Sequence, residues 1–280
     1  MRAGTGAAGA RRVGAGTARL GPFRLEQPQA CGGVAQVLLG RATRRSCAVA
    51  KAVDTGAGVR VTLRHDGRDI DIAVERVIVA AGIVGNVEGL GLEGTGVQID
   101  KGHIVTDGLG RTGEPGIYAI GDVAGPPWLA HKASHEGVLC VEAIVGRPVQ
   151  PLDVGNIPAC TYSHPQVASV GLTEAQARGQ AADRGWDVRV GRFPFVGNGK
   201  ALAMGEAEGL VKTVFDARSG ELLGAHIVHP EASELIAAYG VAKGMEATDE
   251  DLAHAVFAHP TLAEALHESA LSAMGRALHI

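Results

Sequence analysis

The stretch Gly116-Ile-Tyr-Ala-Ile-Gly-Asp122 indicates the fold class of this chain. Its uncharged run ends in Gly-Asp, as expected of a strand buried on both faces of a parallel sheet. The earlier apolar run Arg76-Val-Ile-Val-Ala-Ala-Gly82 predicts a second strand of this kind. Open α/β sheets bind ligands at the carboxyl ends of their strands, which is where Gly82 and Asp122 lie. A carboxylate there can accept hydrogen bonds from a sugar or polyol, and an ordinary turn residue is an equally good interpretation of Asp122.

Two β-hairpins are predicted close to these strands. Residues 59–72 alternate in polarity on both sides of Asp66-Gly67, a dipeptide typical of tight hairpin turns. Residues 97–106 show a similar arrangement around Lys101-Gly102. This part of the chain therefore combines buried strands with antiparallel hairpins.

A change of pattern near residue 150 predicts a second kind of region. Residues 131–145 carry apolar side chains at helical spacing and precede Gly146 and Pro148, which predicts an amphipathic helix. Residues 148–158 resemble a linker, and beyond them short strands and helices alternate as in an antiparallel α+β domain. Strands are expected around Cys160 and over residues 167–170, 188–195, 210–215 and 222–228, and helices over residues 173–178, 231–243 and from 261 onward.

The composition of the 280-residue chain argues against several function classes. A hydrophobic content of 46% gives ample core for one large domain or two ordinary ones. The formal charge of -4 gives no reason to expect nucleic acid or an anionic membrane as a partner. No apolar run approaches the roughly 18 residues of a membrane span. The four cysteines match neither a C-x-x-C redox pair nor a zinc knuckle, so we expect a reducing compartment, the cytoplasm.

The eleven histidines raise the question of a metal site. His131 and His135 would share a helix face at i, i+4, but no third ligand follows at a suitable spacing. We therefore expect no metal site.

Residues 1–50 form no predictable fold. They contain eight arginines and one acid, and they lack apolar periodicity. An arginine-rich, acid-poor leader is typical of an organelle transit peptide, although such peptides are usually also rich in serine. A displaced start or a frameshift in GC-rich DNA would produce the same composition, so both interpretations stay open.

The stretch His259-Pro-Thr-Leu-Ala-Glu264, near the end of the chain, is where chemistry is expected. A histidine can accept a proton near pH 7 if a second group fixes its orientation, and Glu264 could be that group. The same residues also fit a helix start, with Pro260 in the first turn and Thr261 and Glu264 as a capping box. The local pattern alone favours the cap.

Three motifs resemble those of the pyridine nucleotide disulfide oxidoreductase family. They are Ile117-Tyr-Ala-Ile-Gly-Asp-Val-Ala-Gly-Pro-Pro-Trp-Leu-Ala-His-Lys132, which is similar to the family's flavin-binding segment, Thr161-Tyr-Ser-His-Pro-Gln-Val-Ala-Ser-Val-Gly171, and the closing stretch from His259 to Glu264. Within the family, Leu262 and Ala265-Leu266 resemble the dihydrolipoamide dehydrogenases, the E3 components of 2-oxo acid dehydrogenase complexes. A glutathione reductase-like member is the alternative. The resemblance covers residues 50–280, the C-terminal portion of such an enzyme.

The resemblance implies a domain organisation. Residues 51–82 would end an NAD-binding domain and residues 83–150 would be the C-terminal part of the FAD-binding and central region, both α/β remnants of Rossmann-like domains. Residues 151–280 would form an α+β interface domain with an antiparallel sheet. A homodimer that serves the lipoyl domain of a 2-oxo acid dehydrogenase complex is implied as well.

The resemblance also assigns roles to single residues. His259 would be the base that takes a proton from dihydrolipoamide, and Glu264 would hold its imidazole, acting at the flavin and disulfide of the other subunit. Asp122 would hydrogen-bond the ribityl chain of FAD, and Gly82 would lie near NAD. The residues that would line the flavin are Trp128, Leu129, Ala130 and His131.

Several features of the family are missing from the sequence. Neither the FAD nor the NAD domain's glycine-rich fingerprint is found, and no two cysteines lie four residues apart. Electrons in this family pass from dihydrolipoamide through a disulfide to FAD and then to NAD. We therefore expect the isolated chain not to turn over, and a catalytically inactive dimerisation module is the alternative.

Overall fold

A computed structural model describes residues 48–77 and 82–279, together with the backbone of residues 37–39 and 42–44. The chain divides into two compact units, and the division falls after Gly82. No helix in this described part combines the length and apolar character needed to cross a membrane.

The first unit is built from antiparallel strands. Strand β1 (Val37–Leu39) pairs with β2 (Ala42–Arg44). A separate three-stranded sheet has the order β3 (Ala48–Asp54), β4 (Val59–His65) and β5 (Arg68–Val74). Its small core consists of the buried Val61 and Leu63 with partly buried neighbours. Alternate side chains of β4 therefore form the buried face that holds this sheet together.

The hairpin predicted at residues 59–72 is confirmed. Asp66 and Gly67 have φ angles of 49° and 72°, the left-handed pair that a two-residue hairpin turn requires. The strand predicted at residues 76–82 lies mostly outside the described residues, because residues 78–81 are not described. That strand stays a prediction.

The second unit begins with the other predicted hairpin. It is confirmed in a shorter form, as β6 (Ile99–Asp100) and β7 (His103–Ile104). Lys101 and Gly102 form its turn, with φ angles of 48° and 79°.

The prediction of a buried strand at residues 116–122 is wrong. Tyr118 forms only an isolated bridge with Arg111, and residues Gly121–Ala124 form a 3₁₀ helix. The backbone N–H of Ile117 donates to Glu114, and that of Ala119 donates to Gly110. Local turns therefore take up the donors that a neighbouring strand would otherwise bind.

The remainder of the second unit follows the predicted order. Helix α1 (Ala130–Ile144) precedes a linker whose regular structure is the 3₁₀ turn Val154–Asn156. Five antiparallel strands then form one sheet. They are β8 (Ala159–Thr161), β9 (Gln166–Gly171), β10 (Val188–Pro194), β11 (Leu210–Asp216) and β12 (Leu222–His229). Their order in the sheet is β10-β11-β12-β9-β8.

Five helices accompany this sheet in the described part of the chain. They are α2 (Glu174–Arg184), α3 (Gly199–Met204), α4 (Ala232–Gly244), α5 (Asp249–His254) and α6 (Glu264–Ala273). The sequence did not predict α3 and α5, which are each six residues long. Both begin at a side chain that caps the first turn, Asn198 for α3 and Thr248 for α5.

Helix α6 packs closely on the five-stranded sheet. Gly191 makes the close approach possible, because a Cβ atom there would overlap the carbonyl oxygen of Ser269 and lie 2.7 Å from Thr213 Oγ1. Thr213 Oγ1 also donates to the Ser269 carbonyl at 3.2 Å. Ala265, Leu266 and other buried residues of α6 join the main core. The position of α6 is thus fixed by both apolar packing and hydrogen bonds.

Candidate active site

His259 and Glu264 form a hydrogen-bonded pair at the start of α6. His259 Nδ1 lies 2.8 Å from Glu264 Oε1. A carboxylate only accepts hydrogen bonds, so Nδ1 carries the hydrogen and Nε2 keeps its lone pair. The imidazole is 78% exposed, and Nε2 has no recorded partner among the described residues. The arrangement can therefore accept a proton from a molecule that approaches from solvent.

The second oxygen of Glu264 is also bound. The backbone N–H of Thr261 donates to Glu264 Oε2 at 2.8 Å, while Thr261 Oγ1 turns away and donates to the carbonyl of Ala258 at 2.6 Å. The predicted capping box is therefore half formed, and the N-cap of α6 is Ala263. One carboxylate both anchors the loop before the helix and orients the histidine.

Partial burial acts to raise the pKa of Glu264, but the remaining effects outweigh it and leave this pKa below its usual value. The hydrogen bond from Thr261 N–H and the bond and charge of His259 lower it, and the charge of His279 adds to them. Glu264 is thus ionised near neutral pH, as an imidazole-orienting carboxylate must be.

Asn198 supports the loop that carries His259. Its side chain is buried, and its Nδ2 donates to the carbonyl of Thr261 at 3.0 Å. Its Oδ1 accepts from the backbone N–H of Ala201 at 2.9 Å and so caps α3. Tyr239 helps to hold α6 in place, because its hydroxyl donates a hydrogen bond to the Leu266 carbonyl at 2.9 Å. Sequence reasoning missed Asn198 because its partner lies 63 residues away.

A second group of predicted residues surrounds the turn that bears Asp122. Asp122 is exposed and is the second residue of the 3₁₀ helix Gly121–Ala124. The buried Lys132 Nζ donates to the carbonyls of Gly121 at 3.3 Å and Gly125 at 3.0 Å, on both sides of Asp122. Glu136 pairs with Lys132 at 3.0 Å and accepts from the Gly121 N–H at 2.7 Å. The i, i+4 spacing of Lys132 and Glu136 on the predicted helix was the signal that could have identified this brace.

The residues predicted to line a flavin lie at the N-terminus of α1. Leu129 is the N-cap and Ala130 the first helical residue. Trp128 stacks on His103 with ring centroids 5.8 Å apart, and its Nε1 lies 3.2 Å from His103 Nε2. His131 Nε2 donates to the carbonyl of Pro158 at 2.7 Å. These residues are brought together with Asp122, but no recorded contact joins them to His259.

The other predicted residues do not extend either group. Gly82 belongs to the first unit, has a φ of 132°, and has open space where a Cβ atom would lie. His131 and His135 line a cavity of about 490 Å³ with Asn156 and Lys243, and no cluster of three metal-binding side chains occurs among the described residues. Cys140 and Cys160 are free thiols, Cys140 being buried.

Two family profiles match this chain. The profile described as pyridine nucleotide-disulphide oxidoreductase matches residues 42–137, and the one for the dimerisation domain of the same enzymes matches residues 157–270. The chain belongs to the pyridine nucleotide-disulphide oxidoreductase family, with part of the redox domain followed by the dimerisation domain.

Comparison with curated relatives shows which enzymes of this family the chain resembles. The chain is 56% identical to the dihydrolipoyl dehydrogenase of Rhizobium etli over 231 residues, which are 81% of this chain and 47% of the relative. The enzyme of the same name from Zymomonas mobilis is 54% identical over 223 residues, 78% of this chain and 47% of the relative. The structure of LpdA from Mycobacterium tuberculosis matches with a TM-score of 0.71 and 31% identity, covering 80% of this chain and 48% of that one. The chain is a dihydrolipoyl dehydrogenase homologue that spans about half the length of the curated relatives it matches.

Proposed function

We propose that this chain is the C-terminal part of a dihydrolipoyl dehydrogenase, which oxidises dihydrolipoamide to lipoamide with NAD⁺. The observation that carries the proposal is the His259–Glu264 pair, in which an exposed imidazole is held at 2.8 Å by a carboxylate. The homology to dihydrolipoyl dehydrogenases supports the same reaction.

The role proposed for His259 is that of a general base. Dihydrolipoamide loses two electrons and two protons when its two thiols become a disulfide. A thiol reacts as its thiolate, so a base that removes a proton at neutral pH accelerates the first step. His259 Nε2 would accept this proton, and the ionised Glu264 would stabilise the imidazolium that forms.

The residues around Asp122 fit the flavin that the family uses. The exposed carboxylate of Asp122 makes no side-chain hydrogen bond within the described part of the chain, and Lys132 and Glu136 hydrogen-bond the backbone on both sides of it. Helix α1 begins at Ala130 without a side-chain cap, so its first N–H groups can face a polar ring edge. FAD, when bound, carries the electrons of the dithiol toward NAD. Asp122 would bind the ribityl hydroxyls, and Trp128, Leu129 and His131 would line the ring.

The residues present do not account for the whole reaction. None of the four cysteines forms the pair four residues apart that the family's disulfide needs, and residues 78–81, directly before Gly82, are not among those that the structure describes. The chain would therefore contribute the base and part of the flavin site, and the remaining half of the enzyme would contribute the disulfide and the nucleotide fingerprints.

The partners proposed follow from the same assignment. The dimerisation-domain match supports a homodimer in which His259 serves the flavin of the other subunit, with a lipoyl domain of a 2-oxo acid dehydrogenase complex as the substrate carrier. We place the enzyme in the cytoplasm, and we keep the domain boundaries predicted at residues 50, 82 and 150.

A hybrid enzyme tests the proposal. Residues 50–280 of this chain would replace the matching half of the Rhizobium etli enzyme, and NAD⁺ reduction by dihydrolipoamide would be measured. We expect the hybrid to contain flavin and to turn over, and His259→Gln to lower turnover about 10²–10⁴-fold. The matched control is His254→Gln, since His254 is exposed on α5 and lies 3.7 Å from Glu250, an exposed partner outside the candidate site. A folded, flavin-containing hybrid with full activity after His259→Gln would refute the role of the base.

A catalytically inactive dimerisation module is the second candidate. The half-length match and the dimerisation domain favour it. In this case the purified chain would form a dimer in sedimentation experiments, and the hybrid enzyme would bind flavin but fail to oxidise dihydrolipoamide.

A further inference from the structure

The side chain of Trp128 is held by a histidine from an earlier hairpin. Its indole Nε1–H donates to His103 Nε2 at 3.2 Å, and the two ring centroids lie 5.8 Å apart with an angle of 26° between the ring planes. An indole N–H is a donor only, so His103 Nε2 is the acceptor and the hydrogen of the neutral imidazole is on Nδ1. The contact therefore selects one tautomer of His103 and one orientation of the indole.

No other recorded contact holds the indole ring within the described part of the chain. Trp128 is 38% exposed, and it is not a member of any of the hydrophobic clusters recorded there. An aromatic side chain held at one point changes rotamer when that point is lost, because no neighbouring side chain blocks the rotation. His103 therefore determines which way the exposed part of the indole faces.

The backbone on both sides of Trp128 is fixed independently of His103. The buried Lys132 Nζ donates to the carbonyl of Gly125 at 3.0 Å on one side, and Leu129 is the N-cap of α1 on the other. The direction of the Trp128 side chain is what these backbone contacts leave open. The hydrogen bond to His103 supplies that restraint.

His103 lies on a hairpin that is itself held in place. The carbonyl of the preceding residue, Gly102, accepts from the backbone N–H of Gly85 at 2.9 Å. Strand β7 also packs against the 3₁₀ helix Gly121–Ala124, which carries Asp122. The hairpin thus connects His103 to the turn that bears the proposed ribityl-binding carboxylate.

We propose that His103 is a positioning residue for the flavin site. It accepts the indole N–H of Trp128 and so presents the exposed part of this ring to the flavin. A flat aromatic side chain that is oriented before binding loses less conformational freedom when the flavin arrives, which strengthens binding. The inference rests on the proposed function, in which Trp128 lines the flavin ring.

Indole NMR of the full chain tests the contact in the absence of flavin. The chain has two tryptophans, and Trp186, which packs in a separate cluster with Ala177 and Ala181, is the internal reference. We expect His103→Phe, which keeps a ring but has no acceptor, to move the Trp128 indole proton upfield and to speed its exchange with water about 5–10-fold. His103→Gln places an amide oxygen near the position of Nε2 and should return both values toward the wild type.

Titration of FAD into the flavin-free hybrid enzyme tests the positioning role. We expect His103→Phe to weaken FAD binding about 5–10-fold and His103→Gln to weaken it less. A double-mutant cycle with Trp128→Phe separates positioning from a direct contact, since His103→Phe should cause no further loss once the indole is absent. His254→Phe is the matched control and should leave FAD binding unchanged.

Three results would each overturn the proposal. They are an unchanged Trp128 indole signal in His103→Phe, an unchanged FAD affinity in that variant, and an equal loss of affinity when His103→Phe is added to Trp128→Phe. If His103→Phe does not fold, the nitrogen-15 shift of His103 Nε2 in Trp128→Phe provides the same test, because loss of the donor must move it. An unmoved nitrogen shift there would also overturn the proposal.

The two measurements separate this inference from the proposed function. A hybrid enzyme that turns over and keeps its FAD affinity after His103→Phe would defeat the positioning role and leave the proposed function intact. A hybrid whose FAD affinity falls as expected, but which does not oxidise dihydrolipoamide, would defeat the proposed function and leave the positioning role intact.

Discussion

Glu264 shows how a single carboxylate serves two structural needs. Oε2 binds the backbone N–H of Thr261 and Oε1 binds the imidazole of His259, each at 2.8 Å. The helix-start and dyad interpretations of this stretch are therefore compatible in geometry, because each uses a different oxygen. The catalytic role itself stays a prediction.

The lowered pKa of Glu264 predicts a dependence of stability on pH. A carboxyl group whose pKa is lower in the folded state than its unfolded value of about 4.3 contributes stability above that value. This stability is lost as the pH falls through the folded pKa. We expect Glu264→Gln to lower the free energy of unfolding by about 0.5–1 kcal/mol at pH 7 and by much less near pH 3.

Urea unfolding at both pH values measures this difference. Glu208→Gln is the control, since Glu208 is exposed and has no recorded hydrogen bond or ion pair. An equal loss at pH 7 and pH 3 in Glu264→Gln would show that the ionised form is not the stabilising one.

Asn198 provides a prediction that separates two hydrogen bonds of one side chain. Asn198→Ala removes the cap of α3 and the bond to the Thr261 carbonyl, and we expect it to cost about 1–2 kcal/mol in the free energy of unfolding. Asn198→Asp keeps the cap acceptor but loses the donor to Thr261. It should therefore preserve α3 while speeding hydrogen exchange of the Thr261 amide. Slow exchange in Asn198→Asp would contradict a role for Asn198 in holding the His259 loop.

At the scale of the elements, the packing of α6 on β10 depends on one glycine. Gly191→Ala would force its Cβ atom into the Ser269 carbonyl oxygen and toward Ala273 N, 2.9 Å away. Both obstacles are backbone atoms, which cannot rotate out of the way as a side chain can. We expect a loss of about 3 kcal/mol or more in thermal or urea unfolding.

Gly199→Ala is the matched control for this prediction. Nothing lies within 4 Å of a Cβ atom at Gly199, which is the first residue of α3. This substitution should be neutral or slightly stabilising, because alanine restricts the unfolded chain. Equal effects of the two substitutions would mean that α6 can shift on the sheet at little cost.

The same elements show what sequence patterns can and cannot predict. The hairpin turns at Asp66-Gly67 and Lys101-Gly102 were predictable because a two-residue turn encodes its own backbone conformation. The strand expected at residues 116–122 was not formed, because a strand also needs partners distant in sequence. The contact of His103 was missed for a related reason: its partner, Trp128, lies 25 residues further on, and the local pattern around His103 predicts only a hairpin.

At the scale of the whole molecule, the main core lies within one region. All of its recorded buried and partly buried members fall between Cys160 and Ala273. We therefore expect residues 151–279 to fold alone, with cooperative urea unfolding and a dispersed amide NMR spectrum. A fragment of residues 48–77 provides the contrast, because Val61 and Leu63 are its recorded buried core residues. That fragment should stay unfolded, since so small a core does not offset the entropy of three strands. A collapsed spectrum for residues 151–279 would show that the dimerisation domain needs the preceding residues.

The glycine contact beneath α6 has a consequence for how this molecule tolerates change. His259 is tied to Glu264, Glu264 to the first turn of α6, and α6 to the sheet through Gly191 and the Thr213–Ser269 bond. The orientation of the His259 imidazole thus depends on contacts in the protein interior. One of these contacts is at Gly191, which lies 68 positions before His259 in the sequence and lets α6 pack on the sheet. If His259 acts as the proposed base, substitutions in this interior that leave the protein folded are expected to misorient its imidazole, and residues that never contact the substrate would then affect the rate.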